Sequence, residues 1–286
     1  MSTLDAGSTD GGTDEEPTDD GGSAAVDTDP GTAEEAGSTE TADTGAGAEM
    51  DDTGTGAATD DAFTFADVSV VMGTYNEEAA IGTVIDDIAA VTDGEAEVVC
   101  VDGSSDRTPE IARERGATVI EQEPQGYGVA VREAILTPDR PIVVTTDCDD
   151  TYPMEQLPEF LALINEGYDV VSGDRLYHGA EAMPAFNRFG NHAFAAVASV
   201  LMGTRVHDTT TGMRAYRREV VEDIEWTENT GLSAELLIRP LMRGYAIREH
   251  PIAYGERAGE TKLDPLQGGA AIAKSIVKVA LEERFR

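Results

Sequence analysis

The stretch DVSVVMGTYNEEAAIGTVIDDIAAVTDGEAEVVCVDGSSDRT, residues 67–108, decides the fold. DVSVVMGT (67–74) is a short β-rich run ended by Gly73. EEAAIGTVIDDIAAV (77–91) then sets Ile81, Val84, Ile85 and Ile88 at helical spacing. EAEVVCVDG (95–103) is a second buried strand. Strand, helix and strand in that order are the repeating unit of a parallel sheet.

The rhythm continues outward. PEIARERG (109–116) predicts a helix, ATVIE (117–121) a third strand and GYGVAVREAI (126–135) a helix after a glycine turn. RPIVVTTD (140–147) and YDVVSGDR (168–175) are further strands, with the helix MEQLPEFLALINEG (154–167) between them. The expected class is α/β: a Rossmann-like, mainly parallel sheet with helices on both faces. From about residue 184 the alternation stops. NRFGNHAFAAVASVLMG (187–203) is a long apolar helix, TTTGMRAYRRE (209–219) a strand or loop, and SAELLIRPLMRG (233–244) a helix interrupted by Pro240. YAIREHPIAYGER (245–257) is extended, and 268–286 reads as a C-terminal amphipathic helix.

Charge divides the 286 residues into two kinds of chain. Residues 1–62 carry 18 Asp/Glu, no Lys or Arg and almost no large apolar side chains. Such a segment buries too little apolar surface to offset its ordering entropy, and is expected to be a disordered acidic tail. Residues 63–286 hold 38 acids and all 20 basic residues, so each part contributes −18 to the net −36. This balance argues against nucleic-acid binding, which needs a basic footprint. No secretory signal and no apolar run of 18 residues is visible, so no membrane span is expected. Cys100 and Cys148 lie in apolar runs and read as reduced core residues. Only three of the basic residues are lysines, which fits a salt-loaded cytoplasm where screening relieves self-repulsion.

Ligands of open parallel sheets bind beyond the carboxyl ends of the strands. Those ends here are GTYNE (73–77), VDGSSDRT (101–108), TTDCDDTYP (145–153) and SGDR (172–175). Asp147 and Asp149, at i and i+2, point to one side of an extended segment while Asp150 points away. Two carboxylates there make a hard-oxygen site for Mg²⁺ or Mn²⁺; the alternative is a solvated acidic turn. Asp102 can accept from a sugar or base, or cap the next helix. Glu77 can contact a ribose or complement a helix dipole. GYG (126–128) is a weak glycine signal, for which permitting a tight turn is explanation enough. Dinucleotide, P-loop, GxSxG and zinc patterns are missing from the sequence.

Taken together, TYNE (74–77), VDGSSDRT (101–108), the DxD at 147–149 followed by TYP, and GDR (173–175) resemble the family 2, GT-A-fold glycosyltransferases. NRFGN (187–191), TGMRAYRRE (211–219) and ERAGETKL (256–263) extend the resemblance toward the dolichyl-phosphate mannose and glucose synthases. It covers roughly 67–266, within an expected GT-A domain of 63–267. It implies that Thr74, Tyr75, Glu77, Asp102 and Asp147 line a nucleotide-sugar pocket. Asp147 and Asp149 would hold the metal, with Asp149 also an auxiliary base. Arg175, Arg188, Arg257 and Lys262 would face an acceptor phosphate. Gly73 stands where that family usually has proline.

The implied activity is inverting transfer of mannose or glucose from GDP-mannose or UDP-glucose to a polyprenyl (dolichyl) phosphate. The enzyme would be peripheral on the cytoplasmic face of the membrane, touching lipid through 192–203 or the C-terminal helix, and of halophilic archaeal type. The second possibility is transfer to a sugar hydroxyl of a lipid-linked or surface glycan. A hydroxyl acceptor needs a placed base, and TTTGMRAY (209–216) lacks the Glu-Asp pair that many such enzymes carry. A salt-adapted charge coat predicts that circular dichroism will show loss of folded structure as salt is dialysed away. Full retention of structure without salt contradicts it.

Overall fold

The structure, a computed structural model, describes residues 62–180, 182–256 and 265–286. The expected acidic tail lies outside these residues except for Ala62, as do Arg257 and Lys262. The first half alternates as β1 (Val68–Thr74), α1 (Ile81–Val91), β2 (Glu97–Asp102), α2 (Thr108–Glu114), β3 (Thr118–Glu121), α3 (Tyr127–Leu136), β4 (Ile142–Thr145), α4 (Leu157–Asn165) and β5 (Val170–Asp174). The second half holds α5 (Ala185–Met202), β6 (Arg214–Arg217), α6 (Arg218–Asp223), α7 (Leu232–Met242), β7 (Ile247–Pro251) and α8 (Pro265–Arg284).

The strands form one sheet in the order β3-β2-β1-β4-β6-β5-β7. All pairings are parallel except those of β6, which runs antiparallel to both β4 and β5. The segment between β5 and β6 explains that reversal. A parallel β6 would require the chain to return to the opposite end of the strands first. Here the chain leaves β5 at its carboxyl end, runs through α5, and re-enters the sheet from that same end. The consequence is functional, because residues 175–213 stay beside the strand ends where ligands bind.

Alternation along each strand feeds two cores. On β1, Val68, Val70 and Met72 join Ile81, Val84, Ile85 and Ile88 of α1 and Phe160 and Ile164 of α4. Val71, between them, faces the other core with Val131 and Ile135 of α3 and Leu232, Leu236 and Leu237 of α7. Cys100 and Cys148 are buried free thiols, and burial pushes the Cys100 thiol up to about 12.

The C-terminal helix is amphipathic: part of its apolar side packs internally, while Val277 and Leu281 remain exposed. Ile276, Val279 and Ala280 of α8 are buried in the second core. An ion-pair lattice fixes α8 on α7. Arg239, 6% exposed, pairs with Glu235 at 2.7 Å, Glu282 at 2.8 Å and Glu283 at 2.6 Å. Arg243 joins Glu283 to Asp223, and Lys278 reaches Glu228. Among the described residues no helix is long and apolar enough to cross a membrane.

Arg239→Met strands the fully buried Glu235 without its counter-charge. The expected cost is about 3–5 kcal/mol, read from urea unfolding at constant salt. Arg218→Met, removing a surface pair with Glu222, is expected to cost less than about 1 kcal/mol.

Candidate active site

A cavity of about 980 Å³ opens at the carboxyl ends of the parallel strands. Thr74, Tyr75 and Glu77 reach it from the end of β1, Gln122 and Pro124 from beyond β3, and Asp147 and Asp149 from beyond β4. The register puts Thr74 opposite Asp102, so the β1 and β2 ends are level and their loops meet. Side chains stitch those loops together. Asn76, in the left-handed region at φ 53°, donates its backbone N–H to the Ser104 hydroxyl at 2.7 Å. Its side-chain oxygen accepts from the Ser105 N–H at 2.9 Å. The Glu77 N–H donates to the Thr108 hydroxyl at 2.8 Å. This end of the cavity is therefore held in shape before a ligand arrives.

Asp102 differs from its expected place on the wall. Its carboxylate turns inward, 2% exposed, and accepts from the Thr74 hydroxyl at 2.6 Å, the Ser104 hydroxyl at 2.7 Å and the Ser104 N–H at 3.0 Å. Gly103 lines the cavity instead. Asp102 thus shapes the pocket by joining two strand ends.

Asp147 and Asp149 both reach the cavity, and Asp150, with φ 63°, is exposed. Asp147 accepts from the Tyr127 hydroxyl at 3.1 Å, and Asp149 from the Thr151 hydroxyl at 2.6 Å. Desolvation, then the Asp147 charge, hold the Tyr127 hydroxyl well above the ordinary tyrosine range, although the ring keeps 42% of its surface open. Tyr127 therefore stays a donor at neutral pH. Among the described residues no third His, Cys, Asp or Glu joins the two aspartates in a metal-holding cluster. Such a donor set fits a hard divalent ion that completes its shell with water and substrate phosphates, and does not fit a closed protein cage.

Close backbone approach fixes both members of the Tyr127–Asp147 contact. Gly128 leaves space for the Asn229 carbonyl, which a Cβ would meet at 2.3 Å. The Asn229 side chain accepts from the Gly128 N–H at 2.9 Å and donates to the Gln125 carbonyl at 3.0 Å. Gly212 leaves space for the Asp147 carboxylate, 2.6 Å from where a Cβ would lie. Gly212 is itself held on both sides, its N–H donating to the Tyr152 hydroxyl at 2.6 Å and its carbonyl accepting from Thr145 at 2.7 Å. In the sequence Tyr127, Tyr152 and Gly212 stand inside GYG, TYP and TGMRAYRRE with no individual role assigned, and Asn229 lies in no motif.

At the far side of the cavity Arg175 is 6% exposed and already paired. Its Nε and Nη2 donate to the two oxygens of Asp208 at 2.7 and 2.9 Å, and Nη2 also to Thr210 at 2.8 Å. Nη1 lies 3.3 Å from the Tyr152 hydroxyl, and the guanidinium sits 5.3 Å from the Tyr254 ring centre. Burial alone would raise the Asp208 carboxyl, but the Arg175 charge outweighs it and holds the group below the ordinary carboxylate range. Arg188 is not on the cavity wall; it donates to the Gly179 carbonyl at 3.1 Å. Arg214, fully buried, donates to Ser172 and the Thr209 carbonyl, while Arg217 donates to the carbonyls of Ile164, in the last turn of α4, and Tyr168, just after it.

A parallel sheet reversed by one antiparallel strand, with two aspartates beside a large cavity at its carboxyl ends, defines the GT-A class of nucleotide-sugar-dependent enzymes. The chain belongs to glycosyl transferase family 2, whose profile matches residues 69–225. It is 77% identical over 222 residues to a dolichyl-phosphate hexose transferase of Haloferax volcanii, covering 78% of this chain and 97% of that one. It is 27% identical over 228 residues to a polyprenol monophosphomannose synthase of Mycolicibacterium smegmatis, covering 74% and 84% of the two chains. Among solved structures, glucosyl-3-phosphoglycerate synthase of Mycobacterium tuberculosis, in complex with Mn²⁺, uridine diphosphate and phosphoglyceric acid, superposes with a TM-score of 0.61. Identity is 25%, over 76% of this chain and 78% of that one.

Gly212→Ala pushes a methyl group into the Asp147 carboxylate. Glycosyl transfer is expected to fall by about a hundredfold, the scale of a 1 Å misplacement, in a protein that remains folded by circular dichroism.

Proposed function

We propose that the protein transfers a hexose, mannose or glucose, from GDP-mannose or UDP-glucose to a polyprenyl (dolichyl) phosphate. The reaction inverts the anomeric carbon and takes place on the cytoplasmic face of the membrane, which the enzyme touches peripherally. The observation that carries this reading is the 77% identity to the Haloferax volcanii dolichyl-phosphate hexose transferase over nearly that protein's whole length. The product would feed protein or surface glycosylation.

In this reading Thr74, Tyr75 and Glu77 receive the nucleoside, and Asp102 keeps their loop in register through Thr74. Asp147 and Asp149 would hold Mg²⁺ or Mn²⁺, which would stabilise the charge that develops on the leaving diphosphate. Tyr127 orients Asp147 by its hydroxyl. An acceptor phosphate oxygen bonds to the anomeric carbon from the face opposite the diphosphate. The bond to the diphosphate oxygen breaks, and its electron pair leaves with the nucleoside diphosphate.

The acceptor explains the sparse base chemistry. A phosphate monoester has a second pKa of about 6 and is mostly dianionic at neutral pH. It needs cations to hold it more than a strong base, and arginine matches phosphate geometry. Arg175 is proposed as one such cation, through the Nη1 edge that makes its longest contact. Arg188, Arg257 and Lys262 are proposed to complete the grip, and Asp149 to serve as auxiliary base.

The test incubates the full chain at high salt with Mg²⁺ or Mn²⁺, dolichyl phosphate and labelled GDP-mannose or UDP-glucose in separate reactions. Label is expected in an organic-soluble, acid-labile product. Transfer to a glycan hydroxyl, with none to dolichyl phosphate from any donor, overturns the reading.

A further inference from the structure

We propose that the N-terminus of α7 is a grip on the acceptor's phosphate, made by the backbone N–H groups of Gly231 and Ser233 together with the Ser233 hydroxyl. This rests on the reading above that the acceptor is a phosphate monoester, and names donors which that reading does not use. The arginines leave a need for them. Arg175 spends Nε and Nη2 on Asp208 and Thr210, and Arg188 is not on the cavity wall. A helix N-terminus is another source of positive potential, because its first N–H groups have no carbonyl one turn back.

Helix α7, 11 residues long, opens on the cavity, which Asn229, Thr230 and Ser233 line. Leu232 donates its N–H to the Asn229 carbonyl, and Ala234 and Glu235 donate theirs to the Gly231 carbonyl. The N–H groups of Gly231 and Ser233 find no backbone acceptor among the described residues. The Ser233 side chain is an independent sign. It is only 8% exposed, it lines the cavity, and its hydroxyl makes no hydrogen bond among the described residues. Hydroxyls so far out of water are as a rule bonded, and here the cavity is where a partner has to arrive. Backbone N–H groups only donate and a hydroxyl can donate, so the set fits an oxyanion. Two acids lie behind this end, and both are already answered. Glu235 accepts the N–H groups of Thr227 and Glu228 and pairs with Arg239 at 2.7 Å. Glu228 accepts from Ser275 and pairs with Lys278 at 2.6 Å. Neither lines the cavity.

The surroundings favour the acceptor over the donor diphosphate. Gly231 abuts Ser275 of α8, leaving no room for a Cβ. Ile272, one turn earlier on α8, lines the cavity, as does Phe194 of α5, whose ring lies 3.7 Å from where a Cβ on Gly269 would be. Apolar walls beside an oxyanion site suit a phosphate carried on a hydrocarbon chain. Arg175 borders the same stretch of α5, because its partner Thr210 donates to Asn191, one turn before Phe194. On the other side, Asn229 ties the helix end to Gln125 and Gly128. That tie sets the donors beside the Tyr127–Asp147 contact, next to which an attacking phosphate oxygen has to arrive.

The test compares wild type, S233A and S233D as full chains at high salt. Calorimetry measures binding of a short-chain, water-soluble prenyl phosphate and, with Mn²⁺, of UDP and GDP; transfer to the prenyl phosphate is followed in parallel. S233A is expected to weaken prenyl phosphate binding about tenfold and to raise its KM, with nucleotide affinity unchanged. Its melting temperature should hold, because the hydroxyl has no partner to lose. S233D puts a carboxylate in the first turn of a helix, which favours the fold, yet like charge should cut prenyl phosphate binding by roughly a hundredfold or more. Prenyl phosphate binding at the wild-type level in either variant overturns the proposal. Equal weakening of UDP or GDP in S233A also overturns it, by giving the subsite to the donor. Wild type that neither binds nor uses the prenyl phosphate overturns the function proposed above and this subsite with it, whereas transfer by wild type that S233A matches overturns the subsite alone.

Discussion

Arg175 and Asp208 lie 33 residues apart in sequence and meet as a two-pronged ion pair almost shut off from water. Taking both charges out of water is expensive, and their attraction offsets that only when the remaining hydrogen-bonding capacity is also met. The neighbourhood meets it. Thr210 and Tyr152 contact the guanidinium, and Glu249 accepts the backbone N–H groups of His207 and Asp208. The pair therefore draws the end of β5, the segment 207–212, the loop after β4 and the β7 strand into one polar lattice. Gly212 belongs to that lattice, so the ion pair also governs where the Asp147 carboxylate rests.

The periodic parts of the chain were legible because core burial writes itself into short-range spacing. Ile81, Val84, Ile85 and Ile88 announced α1, and the acids at strand ends announced the mouth of the sheet. The helix entry was less visible: α1 was expected from Glu77, but a turn closed by Ala80 N–H on the Glu77 carbonyl delays it to Ile81. Apolar spacing records which face is buried and says little about where the first turn closes. The direction of β6 was equally hidden, since it depends on which end of the sheet α5 returns to.

Within the site, residue type was informative and pairing was not. Asp102 reads equally well as a ligand or a cap until Thr74, 28 residues away, claims one of its oxygens. Arg175 reads as a phosphate binder, and nothing near it in sequence discloses Asp208. Gly128 and Gly212 stood out only as glycines; what requires them is a carbonyl at one and a carboxylate at the other. Asn229, which pins the GYG loop, lies in a stretch with no pattern at all. Each of these depends on contacts between distant segments, which spacing within one segment does not encode.

The antiparallel strand has a consequence beyond geometry. It divides the sheet into a side built from residues 68–145, which ends at the paired aspartates, and a side built from β5, β7 and the helices after them. The family profile matches residues 69–225, so α7, β7 and α8 lie beyond the matched stretch. The two sides touch the cavity through different chain segments and meet along the β4–β6 pairing, at Asn229 on Gly128, and at Gly212 on Tyr152. A lineage can therefore exchange one substrate partner by rewriting the later segments while the earlier ones stay as they are. In the proposed reading the activated sugar and its acceptor are held by separate stretches of chain, so either grip can be altered by substitutions that leave the other in place.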